Sequence, residues 1–181
     1  MTETQADHPD DITNTSHHTR REDGHDRPST TVIDLVKRSR FAMLTTRTAE
    51  GTMISRPLTV QEVTEEGDIY FIVPGDGDAA READRAEVNL GFSHDMAFAS
   101  VAGTGEILHD RDKLEQLWGI GTQAWSDKDE TPQNTSKVVL VVHGETAQYW
   151  NAPSKPALAV GLLKGLLTDE KPASESGTTK L

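Results

Sequence analysis

Six segments with the composition of β-strands follow one another through the middle of this chain and constrain its fold more than any other feature. They are rich in β-branched, aromatic or alternating apolar residues, and turn residues separate them. The segments are residues 41–47, 52–63, 68–73, 88–93, 96–109 and 137–150. Because consecutive strands tend to pair antiparallel and closure removes exposed edges, we predict a mostly β fold, a six-stranded antiparallel barrel with peripheral helices.

Glycines mark one corner of this barrel. Gly103 and Gly105 interrupt the fifth segment, and glycine inside a strand is typical of a bulge or a sharp bend. Helical spacing occurs in four other places, and these stretches predict the peripheral helices. The helical stretches begin near Ser29 and cover residues 79–87, 110–125 and 155–167.

The two ends of the chain contrast with this middle region. Residues 1–30 hold one isoleucine and almost no other large apolar side chain, and residues 168–181 are polar and rich in small residues. Such segments bury too little surface to offset the entropy lost on ordering. We therefore predict one barrel domain over residues 31–167 between two disordered tails. The histidines of the first tail are irregularly spaced, so we predict no metal site.

Charge and composition exclude several classes of partner. The net charge of −12 would repel nucleic acid and anionic membrane surfaces. The absence of cysteine excludes disulfides and thiolate sites and fits a reducing compartment. No apolar run is long enough to cross a bilayer and no leader pattern is present. We expect a cytoplasmic protein whose partners are small molecules or further copies of the chain.

The strand TMISRPLTV at residues 52–60 is the strongest indication of a site. Alternation of side chains puts Arg56 in the middle of an apolar strand face. Burying this charge is costly unless an anion meets it, and that anion is either a ligand or one of the chain's own carboxylates. Pro57 has no N–H to offer a neighbouring strand, which indicates an edge, a bulge or an opened seam. We expect the barrel to open at this strand.

Motifs for covalent or nucleotide chemistry are missing. The sequence contains no nucleophile elbow, no Walker loop and no dinucleotide fingerprint after a strand. Any reaction would therefore depend on a bound cofactor, and we predict no catalytic residue. The three tryptophans, Trp118, Trp125 and Trp150, suit a cofactor wall, but core or interface positions are commoner for this residue.

Taken in order, the segments resemble the general stress protein subfamily of the pyridoxamine 5'-phosphate oxidase-like, FMN-binding split-barrel proteins. The resemblance covers about residues 32–167. Its landmarks are FAMLTTRTAEG, ISRPL, DIYFIV, the segment Arg81–Arg85, VNLGF, ASVAGTGEILHDRDKLEQLW and ETAQYWN.

This resemblance implies a split barrel that forms a homodimer with two FMN sites at the subunit interface. It also implies which residues contact the cofactor. Ser55, Arg56, Pro57 and Leu58 would lie against the flavin, Ile72 and Val73 would contribute backbone contacts, and Trp118 and Trp150 would come from the partner subunit.

The loop after the third strand departs from the family pattern. Relatives typically carry a serine or threonine and then a lysine that hold the phosphate, and Gly77 and Ala79 stand at these positions. The neighbouring Asp76 and Asp78 would repel a phosphomonoester of about −1.5 to −2 charges. Arg56, Arg81 and the backbone N–H groups of the loop are the remaining candidates for holding it.

Two functions therefore stay open at this point. The first is an FMN-dependent redox protein of unknown substrate, although no C-terminal basic motif for pyridoxamine phosphate itself is present. The second is a dimeric, stress-related split barrel that has lost FMN. A deazaflavin or haem in the same pocket is a third alternative, and the sequence selects neither.

Overall fold

The computed structural model describes residues 27–119, 122, 126–151 and 175–181. Three helices and eight strands follow one another along this part of the chain. The helices are α1 (Arg27–Arg38), α2 (Asp78–Ala83) and α3 (Arg111–Leu117). The strands are β1 (Phe41–Arg47), β2 (Met53–Thr59), β3 (Glu62–Val63), β4 (Asp68–Pro74), β5 (Glu87–His94), β6 (Ala97–Leu108), β7 (Lys137–Asn151) and β8 (Glu175–Lys180).

All strand pairs are antiparallel, and the sheet curls into a split β-barrel. The strand order is β2-β1-β5-β6-β7-β4-β3, with β8 added to β7. The first and last strands of this path, β2 and β3, are consecutive in sequence and together form the second predicted segment. All six predicted strands are confirmed, and the predicted fold class is correct.

The barrel closes where the chain changes partners between β2 and β3. The N–H of Val60 donates to the carbonyl of Arg40 beside β1, at 3.1 Å. The next N–H, that of Gln61, donates to the carbonyl of Tyr70 on β4, at 2.9 Å. Two adjacent residues therefore join opposite ends of the sheet, and the strand that contains Arg56 lies at this seam.

The core fills the barrel and extends under two helices. Alternation along β1 and β4 sends Leu44 and Phe71 inward, and both are fully buried. From α1, Val32 and Val36 pack on the same cluster. From α2, three alanines face it, and their small side chains bring this short helix close to the sheet.

The predicted bulge at the glycines of β6 is confirmed. The register between β6 and β7 shifts between Ala102 and Gly103. A Cβ atom on Gly103 would lie 2.0 Å from the carbonyl oxygen of His143, and one on Gly105 would lie 2.3 Å from that of Ala83. Both positions need glycine because a backbone passes too close for any side chain.

The structure changes the predicted tail boundaries. Helix α1 begins at Arg27, inside the segment predicted to be disordered. The second tail contains strand β8, which pairs with Thr146–Asn151 of β7. The reason is that β4 covers β7 only as far as His143, which leaves an edge that β8 occupies. The predicted helix at 155–167 lies outside the described residues. No helix in the described ranges is long and apolar enough to span a membrane.

We expect Gly103→Ala to destabilise the protein by about 1–3 kcal/mol, since its Cβ would overlap a carbonyl group and force the two strands apart. Gly91→Ala is the matched control, because a Cβ there would meet its nearest neighbour, the Cβ of Met43, at an ordinary 3.8 Å. Urea unfolding of both variants measures the difference. Equal losses would show that the close approach at Gly103 is not what requires glycine.

Candidate functional site

Arg56 is held by the protein's own groups. It lies on β2 with its side chain only 22% exposed. Its Nη1 donates to Oε2 of Glu82 at 2.8 Å and lies 2.7 Å from Oγ1 of Thr46. Its Nη2 lies 3.9 Å from a carboxylate oxygen of Asp78. Of the two anions that the sequence left open for this arginine, the structure contains the internal one.

Glu82 is the centre of this cluster. It projects from α2 toward β1, where the fully buried Thr46 donates to the same oxygen, Oε2, at 2.6 Å. The hydrogen bond from Arg56, followed by that from Thr46, lowers the pKa of Glu82 below its ordinary value. The carboxylate is therefore ionised at neutral pH and occupies the anion position beside Arg56.

A second ion pair closes the same turn of α2. Arg81 pairs with Asp78, three residues before it, and donates to the backbone carbonyl of Asp76. Gly77 precedes the helix in extended conformation, and no side chain caps it. Ala79 points away from this surface and is buried in the core. The α2 residues that face the cluster are thus Asp78, Arg81 and Glu82.

An open groove of about 640 Å³ surrounds this cluster. We call it the charged groove. Of the described residues, three arginines and four carboxylates line it, so the formal charge of this set is negative. These residues are Arg47, Arg56, Arg81, Glu50, Asp78, Glu82 and Asp84.

A second cavity, the apolar pocket, lies further along the same strand. Its volume of about 310 Å³ is at the lower end of the roughly 300–1,000 Å³ typical of small-ligand sites. Apolar and polar side chains from β1, β2, β4 and β7 contribute to it. The pocket is lined by Phe41, Pro57, Leu58, Thr59, Gln61, Ile72, Pro74, Thr122 and Lys137.

Two polar side chains of the apolar pocket, Thr122 and Lys137, differ in whether the described residues supply their hydrogen-bond partners. The hydroxyl of Thr122 is buried and has no hydrogen-bond partner among the described residues. Lys137, by contrast, pairs with Glu130, donates to Ser126 at 3.1 Å, and has its Nζ 5.7 Å from the centre of the Trp118 ring. Because a buried hydroxyl without a partner is costly, Thr122 indicates room for a hydrogen-bonding ligand.

The structure divides the predicted site residues among several places. Pro57, Leu58 and Ile72 line the apolar pocket, whereas Arg56 and Arg81 line the charged groove. The side chain of Val73 is in the core. Trp125 lies outside the described residues.

The remaining predicted positions lie at the margins of these cavities or away from them. The hydroxyl of Ser55 is on the outer face of β2, 2.8 Å from that of Thr45. Trp118 packs over Lys137. Trp150 is on β7 opposite Phe98, half exposed. Ala79, at the position where relatives carry the phosphate-binding lysine, is buried in the core.

Sequence reasoning missed three residues that the structure brings to these cavities. No pattern in the sequence distinguishes Glu82 from the other acidic residues of the core. Its position four residues after Asp78 indicates only that the two side chains lie on the same face of a helix. Lys137 and Thr122 come from segments far from β2 in sequence, and no local pattern marks either residue.

Comparisons with known proteins agree with this architecture. The family model for pyridoxamine 5'-phosphate oxidase-like proteins matches residues 27–173. A protein of Jannaschia sp. CCS1 described as general stress protein 26 superposes with a TM-score of 0.69 at 22% identity, over 82% of this chain and 95% of that one. No curated protein sequence matches the chain closely enough to indicate a relationship.

Two further solved structures share the fold. The general stress FMN/FAD binding protein of Xanthomonas citri has a TM-score of 0.58 at 24% identity, with 70% of this chain and 90% of that one covered. PhzG from Burkholderia lata 383, in complex with tetrahydrophenazine-1-carboxylic acid, has a TM-score of 0.55 at 13% identity, with 84% and 87% covered.

We expect Glu130→Gln to lower stability by about 1–2 kcal/mol at pH 7, because it breaks the pairing with Lys137 beside the apolar pocket. Hydrogen bonds from Lys137 and then Thr135 lower the pKa of Glu130 from 4.5 to about 2. This contribution is therefore fully present above pH 4.5 and declines as the pH falls toward 2. Urea unfolding between pH 3 and 7 measures it. Asp129→Asn, a neighbouring exposed acid, is the control; an equal or pH-independent loss in both variants would contradict the assignment.

Proposed function

The chain belongs to the pyridoxamine 5'-phosphate oxidase-like family, and on that premise we propose that it binds the ring of a flavin in the apolar pocket and serves in redox chemistry. The observation that carries the proposal is the pocket itself. It combines apolar walls from Pro57, Leu58 and Ile72 with the hydroxyl of Thr122, which has no partner in the part of the chain that the structure describes. A planar ring with polar atoms at its edge matches that combination.

The roles of the chain's own residues follow from their chemistry. A bound flavin would supply hydride or electron transfer at its ring. Leu58 and Ile72 would hold the ring and exclude water, and Thr122 would donate to an acceptor at its edge. The description of the Xanthomonas citri protein as FMN/FAD binding supports a flavin as the ligand class.

We further propose that the protein is a homodimer joined through the outer face of the sheet. Four large apolar side chains lie there about half exposed, namely Phe41, Met43, Phe98 and Trp150. Their neighbours in sequence, such as Ala42 and Ala99, point inward and are buried. Exposed apolar residues on one sheet face are typical of an interface. Phe41 also lines the apolar pocket, so a partner subunit on this face would border the ligand.

The alternative function is that of a dimeric, stress-related barrel without FMN. It is favoured by one observation, the pairing of Arg56 with Glu82, which leaves that arginine less able to hold a phosphate. A deazaflavin or haem in the same pocket is a further alternative, and we propose a cytoplasmic location.

Lumiflavin, which has the ring but no ribityl phosphate, tests the first proposal. We expect the full chain to quench its fluorescence on binding, and Thr122→Val to weaken binding by about threefold to tenfold through loss of one hydrogen bond. Thr178→Val, the same change on exposed strand β8, should leave binding unchanged. Failure of lumiflavin to bind at about 100 μM would refute a flavin pocket.

Phe98→Glu tests the dimer. A charge among the exposed apolar side chains of the outer face would have to be desolvated on association, so we expect the dimer to dissociate at micromolar concentration. Sedimentation velocity gives the mass directly. Gln133→Glu adds the same charge to an exposed loop and should remain dimeric. A monomeric wild-type chain would refute the interface.

A further inference from the structure

We propose that this site selects a flavin without a phosphate, of the riboflavin class, over FMN. This inference rests on the proposed function, since it concerns which flavin the apolar pocket accepts. It is carried by the pairing state of the cationic side chains around the pocket and by the position of Glu82.

Three of the four cations that line the two cavities are already paired with carboxylates. Lys137 pairs with Glu130 and Arg81 with Asp78. Arg56 pairs with Glu82. The fourth, Arg47, donates to the backbone carbonyl of Gly51 at 3.0 Å across its own hairpin. Among the described residues that line the two cavities, Arg47 is therefore the one cation that a phosphate would meet without a carboxylate partner.

The pair at Arg56 would be costly to open. Its two side chains are only 22% and 15% exposed, and a single oxygen of Glu82 accepts from both Arg56 and the buried Thr46. A phosphate that displaced Glu82 would leave this carboxylate poorly solvated and the Thr46 hydroxyl without its acceptor. A phosphate that did not displace it would sit beside a second anion.

The charge balance of the groove points the same way. With three arginines against four carboxylates, the charged groove is formally negative before any ligand arrives. A phosphomonoester adds about −1.5 to −2 charges. The uncharged ribityl chain of riboflavin adds none, and its hydroxyls can both donate to the carboxylates and accept from the arginines. The protein's own Glu82 thus takes the place that a ligand phosphate would need.

The test compares three flavins on the full chain by fluorescence titration: lumiflavin, riboflavin and FMN. We expect riboflavin to bind at least about tenfold more tightly than FMN at low salt. Glu82→Gln should tighten FMN by about tenfold and change riboflavin by less than about threefold, because it frees Arg56 without altering the pocket. Glu50→Gln removes the same charge from the same groove but from a residue that does not contact Arg56, and should tighten FMN by clearly less than Glu82→Gln does.

Asp78→Asn provides a second route if Glu82→Gln unfolds. Asp78 is more exposed and 3.9 Å from Arg56, so its loss should tighten FMN by about threefold. If lumiflavin binds but FMN binds the wild type as tightly as riboflavin or more tightly, the selectivity is refuted and the flavin pocket stands. If no flavin binds, both proposals are refuted.

Discussion

The change of partners at Val60 and Gln61 is the constraint on which the rest of the structure depends. One N–H points to the β1 side and the next to β4, so a single bent strand joins both ends of the sheet. Because successive N–H groups of an extended strand point to opposite edges, two adjacent residues can donate to two different neighbouring strands. Without this corner, the two edges of the sheet would be open and neither cavity would have its second wall.

That corner also explains why one strand serves two cavities of opposite character. Successive side chains on β2 point to opposite faces. Arg56 turns toward α2 and the charged groove, while Pro57, with no N–H for the ladder, borders the apolar pocket. Polar and apolar ends of a ligand can therefore be met by neighbouring residues. The short alanine face of α2 matters here, because it lets Asp78 and Glu82 approach the strand.

The ion pair between Arg56 and Glu82 bears on which ligand we propose for the site, and it does not affect the assignment of the chain to its family. Arg56 belongs to a segment that matches the family, yet its charge is satisfied inside the protein. A paired and largely buried arginine contributes little to binding an added anion, since the ligand must first replace an anion that is already well placed. If the apolar pocket binds a flavin ring as proposed, the same fold would keep that pocket while its preference at the phosphate end changed.

Much of the architecture is determined by the sequence itself. The six strands and the glycine bulge follow from alternation, β-branched content and turn residues, which are local signals. The open question at Arg56 was also visible, because an arginine on an apolar strand face requires an anion. Which anion meets it depends on α2, which is distant in sequence, and only the tertiary structure brings Glu82 within 2.8 Å.

The same limit applies to Ala79, Thr122 and β8. The family resemblance placed Ala79 at the phosphate-binding position, and only the structure shows that its side chain is buried in the core. The polar composition of the last residues predicted disorder, whereas the unpaired edge of β7 orders them as a strand. The composition of the last residues cannot show that β4 leaves part of the edge of β7 unpaired, because β4 and β7 lie elsewhere in the sequence. The sequence by itself therefore determined the strands and the need for an anion, while the tertiary structure decided the partners, because pairing is a property of distances between segments.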